Sequence, residues 1–139
     1  VDQVQSRQTI RILAEVGRRL PAYATASGKV FLAHLPPEQL ERYLHTVPLH
    51  RFTVHTIADP EKLRQHLTVV RQQGYAEENQ ELEDGVSCIA APIRDDNGKV
   101  VAALSISGPT TRWTDALMEG LLIPTVREYA GQMSQLLQE

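Results

Sequence analysis

One cysteine, Cys88, is all that this 139-residue chain contains. That excludes an internal disulfide and any CxxC metal site, and it fits a reducing cytosol. Aromatic residues are scarce at 5%, so the core must be aliphatic. No apolar run is long enough to span a bilayer, and no signal-peptide pattern is present. Positive charge is thin as well: 14 Lys and Arg against 17 Asp and Glu give a net charge of -3. A chain with no basic stripe is poorly suited to gripping a nucleic-acid backbone. The common catalytic signatures are missing, with no GxSxG elbow, phosphate-cradling Gly loop or GxGxxG. The chain opens on Val1, not Met, in VDQVQS, which already reads as strand. We therefore expect a piece of a longer protein, cut at the amino end.

What is present centres on GVSCIAAPIRDDNGKVVAALSISGP, from Gly85 to Pro109. Asp-Asn-Gly between alternating apolar runs signals a hairpin, because Asn and Gly tolerate the positive φ of tight turns. With Asn97-Gly98 as a two-residue loop, Cys88 falls opposite Ser107 and Ala90 opposite Ser105. A four-residue loop keeps the same faces. Alternation then puts Cys88, Ala90, Ala103, Ser105 and Ser107 on one small, faintly polar side. Ile89, Ile93, Val100, Leu104 and Ile106 take the other. Two readings of the small side are open: a surface for a closely packed helix, or the floor of a small-molecule pocket.

Strands are expected at Val1 to Ser6 and from Arg11 to Gly17, where Ile12, Ala14 and Val16 alternate with polar residues. Thr25 or Ser27 caps a helix running to Leu35. Pro37 opens a second, ending before Pro48. Asp59-Pro60-Glu61 starts a third, with Asp as cap, Pro in the first turn and an acid at the positive dipole end; Gly74 closes it. Tyr75 to Glu81 reads as a strand. Thr114 or Asp115 begins a carboxyl-terminal helix that Pro124 kinks or splits. Strands and helices closing on an antiparallel hairpin point to an α+β fold in one domain.

The chemistry in these residues is modest. Cys88 has no positive charge near it in sequence and reads as an inert thiol. His45, His50 and His55 cross a helix end and a loop with no shared face, so solvated side chains are favoured over a metal site. The acids Glu77, Glu78, Glu81, Glu83 and Asp84 read as a solvated strand and loop, within which one carboxylate can point inwards. ATASGK, Ala24 to Lys29, would place exposed backbone N–H groups at a helix start behind small side chains. That arrangement suits a carboxylate or phosphate, although an ordinary capped helix reads the same way.

RLPAYATASGKVFLAHLP, HTIADP, VRQQGYA and the GVSCIAAPI and ALSISGP blocks, in this order and spacing, resemble the effector-binding domain of the IclR family of bacterial transcription regulators. The resemblance covers nearly the whole chain. It implies a GAF- or PAS-like antiparallel sheet of about six strands flanked by helices on both faces. It implies that residues 1–139 are one ligand-sensing domain, and that a winged helix-turn-helix which binds DNA lies outside this chain. It further implies a cytoplasmic regulator, a homodimer or homotetramer, whose DNA binding is controlled by a small organic acid, aromatic acids included. No catalysis, cofactor, metal or membrane partner is expected. Matched position by position, the ligand-binding residues are Leu13, Ala26, Ser27, Gly28, Glu78, Cys88, Ser105 and Ser107. Glu78-Asn79 stand where family members often have two Asp, which bears on pocket size. A GAF-like thiol enzyme, such as a small reductase, is the alternative, but it would want a second cysteine.

Overall fold

The computed structural model describes residues 2–12 and 14–139. Helix α1 spans Ala26–Ala33, α2 Pro37–Thr46 and α3 Pro60–Gln73. Strands β1 (Ala76–Asn79), β2 (Val86–Arg94) and β3 (Val100–Pro109) follow, then the short α4 (Asp115–Leu117) and the long α5 (Ile123–Leu136). The sheet is antiparallel in the order β1-β2-β3. Helices cover both faces. α1 and α3 share one apolar cluster with Ala76 and Ala90, and Val126 and Ala130 of α5 share the other with Ile89, Ala91 and Ile93.

The helix boundaries follow from local chemistry. Thr25 Oγ1 accepts from the Gly28 N–H, and Asp59 Oδ1 accepts from Lys62, which satisfies first-turn donors that the helix itself cannot. Gly74 ends α3 at φ 82, a conformation that costs other residues more. Thr114 caps α4 through the Leu117 N–H. The carboxyl-terminal stretch splits as its proline requires. Pro124 has no N–H to give, and the chain before it widens into a π-turn at Met118–Leu122.

The hairpin register is the expected one, with Cys88 opposite Ser107 and Ala90 opposite Ser105, but it is reached differently. The Asp95 N–H donates to the Lys99 carbonyl, so the loop has three residues, Asp96, Asn97 and Gly98, not two. Gly98 takes φ 76. That loop alone would offset the strands by one and turn every side chain to the wrong face. A bulge restores the register, because Ile93 pairs with Ala102 while Arg94 pairs with Val100. Val100 is corrected as a consequence. It packs with the α1 cluster, and Ala102, Leu104 and Ile106 pack with α5.

Among the described residues there are three strands, which corrects the expectation of about six. Neither Val1 to Ser6 nor Arg11 to Gly17 is strand over its described residues; Val1 and Leu13 lie outside them. The alternation there buries no continuous face: Val4 is 100% and Val16 60% exposed, and Ile12 is half-buried. An alternating pattern stabilises a strand only when one of its faces is buried.

Candidate functional site

The register lines up three side chains across the sheet. Glu78 pairs with Cys88, and Cys88 with Ser107. One rung along, Ala76, Ala90 and Ser105 form the next row. Both rows lie on the face covered by α1, and Gly28 is what lets α1 start where it does. A Cβ there would collide with the backbone of Ala22 and with Thr25 Oγ1.

Exposure grades along the first row: Glu78 is buried, Cys88 half-buried and Ser107 exposed. The Cys88 thiol donates to Ser107 Oγ at 3.1 Å. Burial, with the Glu78 carboxyl beside it, pushes the thiol up to about 12, so it stays neutral. Burial also raises Glu78, and the nearby Glu81 charge adds to this, while backbone donors work against it. Those donors are the N–H groups of Glu81 and Leu82, at 2.5 and 3.4 Å from Oε1. The face therefore presents a carboxyl raised by burial, a neutral thiol and two hydroxyls, groups that between them give and accept hydrogen bonds.

The second row settles the packing question for part of the small face. Ala76 and Ala90 are fully buried in the α1 cluster, so this end is a packing surface. Ser105 and Ser107 remain exposed and line a groove of about 270 Å³ along β3, shared with Arg11, Arg112, Trp113 and Leu117. Cys88, Glu78 and the α1 start do not line that groove. A larger cavity of about 350 Å³ lies between the 51–58 loop and α3, lined among others by Arg51, Asp59, Lys62 and His66. None of the expected site residues among the described ones lines it.

At the start of α1 the expectation of exposed N–H groups is corrected. Ala26 is buried, Ser27 and Gly28 are half-buried, and the Gly28 N–H is already bonded to Thr25. Lys29 is fully buried, its Nζ within 2.6 and 2.7 Å of the two Glu81 carboxylate oxygens and 3.0 Å from the Glu77 carbonyl. Burial lowers this ammonium from the usual lysine range, and the Glu81 carboxylate opposes that shift. The acid run does turn inwards, through both Glu78 and Glu81, which are 3% and 6% exposed.

Sequence reasoning missed Lys29, Glu81 and the groove cations Arg11 and Arg112 as site residues. A signal for Lys29 existed: it sits three residues after Ala26 and four before Ala33, on the helix's buried stripe. A lysine on such a stripe needs a buried partner. Leu13, expected to line the pocket, lies outside the described residues. His45, His50 and His55 are exposed, and among the described residues no three metal-ligating side chains converge. No helix among them is long and apolar enough to cross a membrane.

Comparison with known proteins bears on the family and the fold. The chain is 44% identical over 115 residues to the HTH-type transcriptional regulator KdgR of Dickeya chrysanthemi, covering 83% of this chain and 38% of that protein. It spans about half or less of the curated relatives that it matches first. The Thermotoga maritima IclR structure superposes with a TM-score of 0.91 at 37% identity, covering 99% of this chain and 56% of that one. A double mutant of the Acinetobacter PobR inducer-binding domain, in complex with 3-hydroxybenzoic acid, superposes with a TM-score of 0.83 at 34% identity, covering 88% and 70% of the two chains. The model of the bacterial transcriptional regulator IclR C-terminal family matches residues 1–135. With nearly the whole chain matched and the hairpin, capped helices and two-sided packing in place, this protein belongs to the IclR family of bacterial transcriptional regulators, as its C-terminal domain.

Proposed function

We propose that residues 1–139 form a cytoplasmic ligand-sensing domain whose effector is a small organic acid, aromatic acids included. The observation that carries this is the row of Glu78, Cys88 and Ser107 across three strands, with Ser105 one rung away. In this reading Ser105 and Ser107 donate to the effector carboxylate, and Cys88 makes a weak polar contact. Glu78, raised by burial, accepts a hydrogen bond from a hydroxyl of the effector. Ala26, Ser27 and Gly28 lie on the α1 side of this face, behind the row and outside the groove that Ser105 and Ser107 line. The related inducer-binding domain seen with 3-hydroxybenzoic acid supports a carboxylate ligand that carries a second polar group.

Effector occupancy would control DNA binding of the intact protein through an amino-terminal winged helix-turn-helix outside this chain. Assembly into a homodimer or homotetramer would carry the signal. The outer side of α5 supports that step, with Tyr129, Met133, Leu136 and Leu137 all more than 40% exposed. A thiol enzyme is not favoured, because Cys88 is held neutral and has no second cysteine to resolve it.

Calorimetric titration with a panel of hydroxy, keto and aromatic acids tests the site. Ser105→Ala and Ser107→Ala should each lose one charge-assisted hydrogen bond, roughly 1.5–3 kcal/mol, or about tenfold to a hundredfold in affinity. If both variants bind as tightly as the parent, the effector sits elsewhere.

A further inference from the structure

The Lys29–Glu81 pair joins four segments of the chain. The Glu81 carboxylate receives Lys29 Nζ from α1 and the Asn79 N–H from the end of β1. The Glu81 N–H donates to Glu78 Oε1, and its carbonyl accepts from Thr56 Oγ1 at 2.6 Å. Gln80, at φ 56, occupies the left-handed region that non-glycine residues seldom adopt, and it turns the chain so that Glu81 points inwards. Thr53 Oγ1 fixes that bend by donating to the Gln80 carbonyl at 2.6 Å.

Stability alone does not account for such a pair. The cost of desolvating two charges largely cancels their attraction, and an apolar pair of equal volume commonly serves as well. In some proteins a buried ion pair supplies placement, and here one ammonium gathers acceptors from separate segments around it. Here the acceptors are the Glu81 carboxylate, whose backbone orients Glu78, and the carbonyl of Glu77, the residue before it. The ammonium itself comes from the helix that covers the Glu78–Cys88–Ser107 face.

We propose that Lys29 and Glu81 are positioning residues of the effector site: a buried clasp that locks α1 to the β1–β2 loop and holds the Glu78 carboxyl against Cys88. This rests on the site reading above for its effect on ligands, but not for its effect on Cys88. With the clasp released, the loop loses its tie to α1, Glu78 swings away, and Cys88 opens to solvent while the rest of the fold stays.

The test pairs Lys29→Met with Glu81→Met, so that no lone charge is left inside. Thermal melting, Cys88 labelling by an aromatic disulfide, and titration with the organic-acid panel are read on the same preparations. The double variant should melt close to wild type, yet label at Cys88 about tenfold faster, as local opening of one loop predicts. Its acid affinity should fall about tenfold, a coupling of ordinary size. Glu81→Gln keeps an acceptor for Lys29 but removes the charge, and its labelling rate should fall between the two. It decides the matter if the double variant does not fold. Labelling at the wild-type rate in the folded variants overturns the clasp, whatever happens to affinity. Faster labelling in a domain that binds none of the acids overturns the organic-acid reading and leaves the clasp in place.

Discussion

Gly28→Ala and Gly131→Ala are the same chemical change on two helices, and they should move stability in opposite directions. Gly131 lies in α5 with nothing within 4 Å of where a Cβ would stand. There the methyl only removes backbone freedom from the unfolded chain and should stabilise by about 0.5–1 kcal/mol. Gly28 gains the same term, but its Cβ would meet the Ala22 carbonyl oxygen, the Ala22 Cα and Thr25 Oγ1. Two of those atoms are backbone in a turn whose neighbours Tyr23 and Ala24 are buried, so they cannot step aside as a flexible side-chain end would. Overpacking of this kind costs about 1–3 kcal/mol, at the upper end where backbone must move. Displacing Thr25 also threatens its cap bond, worth about 1 kcal/mol. The opposing terms leave Gly28→Ala destabilised by about 2–3 kcal/mol, or a melting point lower by roughly 6–12 °C for a chain of this size. Urea denaturation of both variants beside the wild type is the assay. A Gly28→Ala protein as stable as wild type would show that α1 does not depend on close approach to the Ala22–Ala24 turn.

Further outcomes follow from other parts of the structure. Burial, with Lys29 nearby, lowers His66 from the usual 6.5 to about 4, so the unfolded chain takes up its proton first as pH falls. The stability contributed by neutral His66 is full above about pH 6.5 and is lost on the way down to pH 4. After discounting for its partial exposure this amounts to about 1–2 kcal/mol. His66→Gln should flatten denaturant midpoints between pH 7 and 5, and an unchanged slope would count against it. Asp59→Ala removes the acceptor of the Lys62 N–H and should cost about 1 kcal/mol in urea melts, with no loss of organic-acid binding. Sedimentation at tens of micromolar should find the chain self-associated, with Tyr129→Glu and Leu136→Glu shifting it towards monomer; a wild-type monomer would refute this use of α5. Gel shifts with this chain alone should show no sequence-specific submicromolar DNA binding, as its net charge of -3 predicts.

The sequence by itself determined the helix ends and the place of the hairpin, which depend on neighbours along the chain. Thr25 or Ser27, Asp59-Pro60, Gly74, and Thr114 or Asp115 marked helix ends because capping is satisfied within a few residues, and the structure puts the two open caps on Thr25 and Thr114. Asn97-Gly98 marked the hairpin, and alternation put Cys88, Ser105 and Ser107 on one face. Even so, the sequence expected a two-residue loop, and the register held only because a bulge beside Arg94 made up for a third loop residue. Period-two alternation could not foresee that, since an added residue flips the pattern beyond it, and Val100 changed face as a result. Alternation also suggested strands in the first seventeen residues, whose described part buries no continuous apolar face. Tertiary structure alone decided how open each part of the small face is. It also alone brought Lys29, Glu81 and Glu78 together, because an ion pair 52 residues apart in sequence has no local signature and only the packing of α1 on the sheet creates it.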